Sequence, residues 1–183
     1  MKISGLFARA ASILVLLVAF ACGSTPESRK LDATPGNQEL DEYYLGEGYK
    51  IQPPYGWEVG KVSGIVYFRS PDVEDLTFQA NINILEEHAP GITLKSYVDI
   101  SKQQLPLVLN EYEVINEYAS SVNGRSAHFL MSTFRQVEYD LQNLQMFVSN
   151  DDSMFVITAT ALRSTWESYD DLFDAALGSF VID

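Results

Sequence analysis

Histidine and serine side chains are the first candidates for catalysis, and the chain contains only two histidines. His88 follows Glu86-Glu87, and a carboxylate–imidazole pair can bind a metal ion or move protons. His128 shares a predicted strand face with Ser126 and Ser132. An imidazole beside a hydroxyl can activate that hydroxyl as a nucleophile. Their structural interpretations are a solvated turn for His88 and a half-buried strand residue for His128. No nucleophile elbow, zinc-protease motif or phosphate loop accompanies them, so we predict no catalytic residue, metal site or cofactor.

Acidic side chains are the second group of candidates. Four of them share one face of a predicted C-terminal helix: Glu167, Asp170, Asp171 and Asp174. Such a stripe binds a cation or a basic partner, or is simply the solvated face of the helix. Asp72, Glu74 and Asp75 lack the glycine and the spacing of a calcium loop. The net charge of −13 gives no basic footprint, so we expect no nucleic-acid partner.

The single cysteine, Cys22, ends an apolar run that follows the basic residues Lys2 and Arg9. The run is shorter than the roughly 20 residues that span a bilayer, which is typical of a signal peptide. The sequence Ala19-Phe20-Ala21-Cys22 resembles the lipobox of bacterial lipoproteins, in which the cysteine becomes lipidated. We therefore predict a signal peptide over residues 1–21 and a membrane anchor through a lipidated Cys22. Lipidation would also remove a reactive thiol from an oxidising compartment.

Two other interpretations of the N-terminus stay open. Ala19-Phe20-Ala21 also fits cleavage of an ordinary secretory signal, and an apolar run extended back to Leu6 would make an uncleaved anchor helix. Cleavage before Cys22 removes Lys2 and Arg9, which leaves ten basic against 25 acidic side chains and a net charge of about −15.

The chain of 183 residues, with 46% hydrophobic side chains, is long enough for one folded domain. Residues 22–48 are rich in Pro, Gly, Ser and charge without apolar periodicity, and we predict that they form a flexible tether. About 26 residues of flexible coil would hold a domain roughly 25–30 Å from the membrane. The folded domain is predicted to occupy residues 49–183.

Strand patterns dominate this domain. Strands are predicted over residues 49–51, 64–70, 78–86, 112–122, 125–139, 141–149, 154–161 and 180–183. The strict alternation of residues 78–86 predicts a strand with one buried face. Asn123-Gly124 is the strongest short hairpin signal, and residues 150–153 predict a second turn. Trp57, after the turn at Pro54, is predicted to lie in the core.

Two helices complete the pattern. Thr93 is predicted to cap the first, and Pro106 to kink or end it near Leu105. Ser164 and Glu167 have the spacing of a capping box for the second, and Gly178 lies where a C-cap glycine would. The order of elements predicts an α+β domain, an antiparallel sheet of about six or seven strands with helices packed on it. Apolar residues on both faces of the central strands indicate that both faces are covered.

Several of these features together resemble a known superfamily. They are Pro54-Tyr55-Gly56-Trp57, the Asn81 and Asn83 pair, the helix after residues 94–97, the sequence from Asn123 to Ala127, and Gly178-Ser179-Phe180. The domain over residues 49–183 resembles the PsbP-like and DcrB-like superfamily, whose bacterial members are often small exported lipoproteins. The resemblance implies an antiparallel sheet sandwiched by helices. Photosynthetic members assist photosystem II and some bind metal ions, but no matching ligand cluster is present in this sequence.

The sequence indicates two candidate functions. The first is a non-catalytic accessory module, anchored by lipid in the cell envelope, that faces the periplasm and docks on an envelope protein partner. The second is a periplasmic carrier or sensor of a small ligand or metal ion. An exposed apolar or aromatic patch would favour docking, and a lined cavity would favour a carrier. Gly23 follows the cysteine in place of the Asp that, by resemblance, favours the inner membrane, so the outer membrane is the expected destination.

Overall fold

The computed structural model describes residues 39–71 and 78–183. Within these residues, seven antiparallel strands form the main sheet: β3 Glu58–Val62, β4 Ile65–Arg69, β5 Asn81–His88, β6 Asn110–Val122, β7 Arg125–Gln136, β8 Tyr139–Asn150 and β9 Ser153–Leu162. Their spatial order is β3-β4-β5-β9-β8-β7-β6. A smaller antiparallel sheet contains β1 Tyr44–Leu45, β2 Tyr49–Ile51 and β10 Val181–Ile182, with β2 in the middle. The predicted signal peptide and Cys22 lie outside the described residues.

The two helices cover opposite faces of the main sheet. Helix α1, Leu94–Val108, packs its buried Tyr97, Val98 and Leu105 on one face. Helix α2, Asp170–Gly178, packs on the other face together with the small sheet, and a 3-10 helix, Arg163–Ser168, leads into it. This arrangement confirms the predicted α+β fold with a sheet sandwiched by helices.

Strand periodicity explains the two cores. Along β8, Leu144 and Met146 face the α2 core, while Phe147 faces the α1 core. Neighbouring side chains of a strand point to opposite faces, so a strand with apolar residues at both parities is covered on both sides. Phe155 and Val156 of β9 divide in the same way. The central strands therefore tie the two helices into one domain.

The turn predictions hold where the backbone requires special residues. Asn123 and Gly124 adopt φ angles of 47° and 80° between β6 and β7, as a two-residue type I′ turn requires. The predicted turn between β8 and β9 contains Asp151 at a φ of 44°. The turn between β7 and β8 was not predicted, because Val137 occupies its positive-φ position with a φ of 53°. A β-branched residue rarely adopts this conformation.

The start of the domain lies earlier than predicted. Residues 39–48 were assigned to the tether, but Leu40 forms a β-bridge with Pro54 and β1 pairs with β2. The Tyr44 ring packs edge-on against Phe68, with 5.4 Å between the ring centroids. A two-residue strand is too short to show periodicity, and the flanking Gly and Glu residues are typical of a loop, so the sequence did not predict this strand. Strand β3 was missed for a related reason, since Gly60 and Lys61 interrupt its apolar pattern.

Three helix-end predictions were wrong. Helix α1 continues three residues past Leu105, because Pro106 lies in its last turn and the Leu109 amide still bonds to the Leu105 carbonyl. Ser164 caps no helix, since it lies inside the 3-10 helix and α2 begins only at Asp170. Gly178 is the last helical residue and has no positive φ, so it is not a left-handed cap. Thr93 does cap α1 as predicted, and its hydroxyl accepts from the Ser96 amide.

Candidate functional site

The two histidines lie in different settings, and within residues 39–71 and 78–183 the side-chain partner seen for an imidazole is the Glu117 carboxylate. His88 ends β5 on the exposed surface, in register with Ser153. The adjacent Glu87 accepts a hydrogen bond from the Tyr97 hydroxyl. Burial raises the pKa of Glu87, and the Tyr97 bond opposes that rise. Glu87 therefore joins β5 to α1, and the structure assigns it to packing of the helix on the sheet.

His128 pairs with a carboxylate and not with a serine. Its Nε2 lies 3.1 Å from Oε1 of Glu117, and Glu117 also binds Lys102 of α1. The Lys102 hydrogen bond is the main reason that the pKa of Glu117 is lowered. The Ser132 hydroxyl donates to Oδ1 of Asn143 at 2.5 Å, so it has no contact with the imidazole. The arrangement is an ion-pair network between α1 and two strands.

Three of the four residues of the predicted acidic stripe, Asp170, Asp171 and Asp174, lie on α2, whereas Glu167 lies in the preceding 3-10 helix. The Trp166 Nε1 donates to Oδ1 of Asp170 at 3.0 Å. The pKa of Asp174 is raised, first by burial and then by the negative charges of Asp170 and Asp171. No group of three or more histidine, cysteine or acidic residues is placed to hold a metal ion within residues 39–71 and 78–183. The run of Asp72, Glu74 and Asp75 lies outside those residues. The stripe is thus a negatively charged surface of α2.

Strand β6 forms one edge of the main sheet and is exposed along almost its whole length. Ile115 is 50% exposed and Tyr118 is 40% exposed, which is unusual for large apolar side chains in a sheet. The Tyr118 ring stacks on Phe129 of β7, with 4.9 Å between centroids and 6° between planes. Burial raises the pKa of Tyr118, and Asp174 and Asp170 add to the rise. An aromatic ring on the sheet edge therefore lies in the field of the acidic stripe.

Only part of β6 is a regular edge. Two register irregularities, between Asn110 and Glu113 and between Val114 and Asn116, disturb its first half. Bulges of this kind protect sheet edges from unwanted pairing. Residues 116–122 then pair with β7 without interruption. The free edge, defined here as residues 116–122, is the open and regular part of the sheet border.

The opposite border is better protected. Strand β3 has five residues, and its Glu58 forms an ion pair with Arg69 of β4. Lys61 of β3 lies 3.7 Å from Glu47. Short strands and charged side chains are common devices against edge pairing. Of the two borders of the main sheet among the described residues, the free edge of β6 is the one suited to a partner.

A set of polar side chains crosses the α1 face of the sheet in two rows. The first row consists of Arg69, Asn81, Thr160, Asn143 and Ser132 on consecutive strands β4, β5, β9, β8 and β7. The second consists of Tyr67, Asn83, Thr158 and Gln145. Five of the nine side chains are buried: Ser132, Asn143 and Thr160 have no exposed surface, and Gln145 and Thr158 are 2% and 6% exposed. We call these two sets the polar rows.

The sequence missed the polar rows. Asn81 and Asn83 alternate with Ile82 and Ile84, and this pattern was interpreted as a polar face in water. The Asn83 amide instead donates to Oδ1 of Asn81 at 2.9 Å, and both side chains are half-buried on the face that continues into the buried polar residues of β8 and β9. A polar residue that alternates with apolar ones looks the same in sequence whether it meets water or a second layer. The only available signal was the polar residues at matching positions on β8 and β9.

A cleft of about 230 Å³ opens beside the small sheet. Its walls include Tyr49, Lys61, Val66, Ile84 and Glu86. Burial is the main reason that the pKa of Tyr49 is raised, and the charges of Glu47 and Glu86 contribute to it. The cleft is smaller than the 300–1,000 Å³ typical of sites for drug-sized ligands.

Comparison with known proteins gives a family and a fold. The family model described as DcrB matches residues 64–179. No curated protein matches the chain. The chain is similar to the solution structure of cyanobacterial PsbP (CyanoP) from Synechocystis sp. PCC 6803, with 20% identity and a TM-score of 0.63, over 81% of this chain and 95% of that one.

Two further solved structures have the same fold. PA94 from Pseudomonas aeruginosa, a protein of unknown function described as a candidate regulator, is 16% identical over 79% of this chain and 97% of its own, with a TM-score of 0.61. LpqN from Mycobacterium tuberculosis, described as involved in cell envelope biogenesis, is 15% identical over 73% of this chain and 82% of its own, with a TM-score of 0.60. No helix within the described part of the chain is both long and apolar enough to cross a membrane.

Proposed function

Because the chain belongs to the DcrB family, a premise that its match over residues 64–179 establishes, we propose that it is a lipid-anchored accessory module that docks on another protein of the cell envelope. The observation that carries this proposal is the free edge of β6, which is open, regular and bordered by the exposed ring of Tyr118. The module has no catalytic role in this proposal. Its two histidines occupy a strand end and an ion pair.

Docking would add a strand to the main sheet. An extended segment that pairs with a free sheet edge gains main-chain hydrogen bonds, and alternate side chains provide specificity. Ala119, Ser120 and Ser121 are small and exposed, so they leave the backbone of the free edge accessible. The stacked Tyr118 offers an aromatic platform at the rim. The occupant that fits best is an extended segment of a protein partner.

Charge restricts the partner further. Asp170 and Asp174 lie close enough to Tyr118 to raise its pKa, so the side of the free edge that faces α2 is negative. Complementary charge speeds association and excludes partners of like charge. We therefore propose that the docking segment carries Lys or Arg beside its pairing strand. The association should weaken as salt is added.

Attachment to the membrane would support this docking. A lipidated Cys22 and the chain that follows it would confine the domain to a thin layer above the membrane. Confinement raises the effective concentration of a docking site without adding contacts. LpqN, which has the same fold, is described as involved in cell envelope biogenesis, and this is consistent with an accessory role in the envelope. The outer membrane is the proposed destination.

Site-specific crosslinking in intact envelopes tests the proposal. A photo-crosslinking residue replaces Ser120 on the free edge, and the matched control replaces Val59 on β3, which is also exposed. We expect one envelope protein to be captured from Ser120 and not from Val59. The captured peptide should be flanked by Lys or Arg, and its yield should fall with rising salt.

A charge variant separates specific docking from accidental capture. Asp174→Asn should lower the crosslinking yield from position 120, whereas Glu138→Gln, which removes one charge from a distant turn, should not. Equal capture from positions 120 and 59, or an acidic captured peptide, would contradict the proposal.

A further inference from the structure

The buried polar atoms without a hydrogen-bond partner are confined to one region of the described chain. They are Nε of Arg69, the Tyr112 hydroxyl, Nδ2 of Asn143, Oε1 of Gln145 and Oγ1 of Thr160. Four of the five belong to the polar rows, and Tyr112 lies on β6 at the edge of the same α1 core. The α2 face contributes none to this set. Such a concentration on one face indicates a shared cause.

Three of these atoms lie on two neighbouring strands. Asn143 of β8 is in register with Thr160 of β9, and Gln145 is in register with Thr158. Side chains at such paired positions have Cβ atoms about 4.5–5.5 Å apart. Gln145 uses its Nε2 to donate to Thr158 at 3.4 Å, and Asn143 uses its Oδ1 to accept from Ser132. The remaining atoms are one amide donor, one amide acceptor and one hydroxyl.

Each of these atoms is deep in the domain. Asn143 and Thr160 have no exposed surface, and Gln145 is 2% exposed. A buried donor or acceptor without a partner costs the free energy of its lost hydration, so native proteins satisfy such atoms with protein groups or bound molecules. The three atoms belong to side chains at neighbouring register positions on one face and share that requirement. A bound molecule that forms hydrogen bonds with all three atoms would stabilise the folded domain.

We propose that Asn143, Gln145 and Thr160 form a binding site for a small neutral molecule that both donates and accepts hydrogen bonds. The molecule would bond to the free amide atoms of Asn143 and Gln145, one a donor and the other an acceptor, and to the Thr160 hydroxyl. Water has this chemistry, as does the hydroxyl or amide group of a small solute, and buried water typically makes about three such bonds. The site is separate from the free edge of β6, so it stands or falls independently of the docking function.

Charged ligands do not fit this site. Its three side chains carry no formal charge, and the neighbouring Ser132 and Thr158 are also neutral. The nearest cationic member of the polar rows, Arg69, is separated from Thr160 by the Asn81 position and pairs with Glu58. A buried ion without a counter-charge is strongly disfavoured. The amides and the hydroxyl therefore select a neutral ligand.

The sign of a stability change tests whether the site is occupied. Thr160→Val replaces the hydroxyl by a methyl group of the same shape. Removal of an unsatisfied hydroxyl would raise the melting temperature, whereas removal of one bond to a bound molecule would lower it by about 2–4 °C. Thr158→Val is the matched control, because it lies on the same face of β9 and loses a known bond from Gln145.

We expect both variants of the purified mature chain to melt below the wild type. A Thr160→Val protein that melts at or above the wild-type temperature, beside a destabilised Thr158→Val protein, would overturn the proposal. A crystal structure of the wild-type chain gives a test that needs no variant. Density within hydrogen-bond distance of Asn143, Gln145 and Thr160 supports the site, and its absence in a well-ordered core refutes it.

Native mass spectrometry of the same preparation distinguishes the two sources of ligand. A bound solute would appear as an added mass that is lost on denaturation, and density larger than one atom would accompany it. Density without an added mass would identify ordered water. Both results support a neutral hydrogen-bonding ligand, and density that refines only as a metal ion or an anion contradicts it.

Discussion

The Glu117 carboxylate on β6 contacts both Lys102 and His128, and the His128 Nε2 lies 3.1 Å from Oε1 of Glu117. His128 belongs to β7 and Lys102 to α1, so a single acidic side chain links two strands of the sheet to the helix that covers them. Partly exposed ion pairs contribute little one by one, but a carboxylate that bonds to two side chains holds its geometry better than a single pair. The network also turns a polar face of α1 toward the border of the sheet.

The first prediction concerns the pH dependence of this network. The pKa of Glu117 is lowered, mainly by the Lys102 hydrogen bond, so the folded state favours its ionised form. Its contribution is complete above the unfolded pKa of about 4.3 and is lost as pH falls through the lower folded value. Glu117→Gln should therefore be less stable than wild type at pH 7, and the difference should shrink below about pH 4.

Chemical denaturation at pH 7, 5, 4 and 3 measures this effect. Glu113→Gln removes another carboxylate from the same strand and controls for the change in net charge. A stability difference for Glu117→Gln that stays constant down to pH 3 would show that the ion pairs do not stabilise the fold.

The second prediction concerns Trp57. Its ring meets Tyr169 and Phe173 at centroid distances of 6.2 Å, in edge-to-face geometry. The residue is partly buried, at the margin of the α2 core. Trp57→Ala should lower the free energy of unfolding by about 3 kcal/mol, the low end of the range for large aromatic truncations. Urea denaturation measures it, and Trp57→Phe should recover most of the loss.

Unchanged stability of Trp57→Ala, together with loss of crosslinking to a partner, would instead make Trp57 a docking residue. Tyr55, which is exposed in the same turn, gives the control. Tyr55→Ala should change stability by less than about 0.5 kcal/mol, as surface substitutions usually do.

Sequence reasoning succeeded where a residue type has one structural use. Asn123-Gly124 specifies a hairpin because few other residues tolerate two positive φ angles, and the structure has that hairpin. Thr93 specifies a helix start because its hydroxyl replaces a missing backbone acceptor. Both signals are local. They do not depend on what packs against the element.

Sequence reasoning failed where the outcome depends on tertiary contacts. The Ser164 and Glu167 pair has capping-box spacing, yet buried Trp166 sits between them and bonds to Asp170, and the chain forms a 3-10 turn there. The sequence did not predict the polar rows or the free edge, because both depend on tertiary contacts. No local pattern predicts the burial of Asn143 or the place of residues 116–122 at the border of the sheet that the described residues form.

The third prediction concerns the turn between β7 and β8. Val137 has a φ of 53° and is 74% exposed, so its side chain is strained and contributes little to the core. A non-glycine residue in the left-handed region costs about 1–2 kcal/mol, and a β-branched residue is among the least tolerant. Glycine removes that strain but loses more entropy on folding, by about 0.5–1 kcal/mol. Val137→Gly should therefore raise stability by up to about 1 kcal/mol.

Thermal denaturation measures this change, which should appear as a melting temperature higher by about 2–4 °C. Val114→Gly is the control, because Val114 is an exposed strand valine whose own φ is not positive. That substitution should lower the melting temperature. A decrease for Val137→Gly as well would mean that the turn is not strained.

The last prediction is that Cys22 holds the protein at the membrane. Cys22→Ala removes the only thiol of the chain and so the only site for a lipobox-type anchor. Each buried CH₂ of an acyl chain contributes about 0.8 kcal/mol, so two or three chains give stable attachment that a single substitution would abolish. We expect the variant to appear in the soluble fraction, or to accumulate uncleaved if maturation requires the cysteine. Fractionation with and without high salt, combined with the mass of the purified protein, separates these results.

Ser24→Ala, two residues away, should leave membrane attachment unchanged. A Cys22→Ala protein that stays in membranes at its full uncleaved mass and resists extraction by salt would favour an anchor helix over lipidation. A wild-type protein that is cleaved but carries no lipid mass would favour an ordinary secretory signal, and docking would then have to proceed from solution.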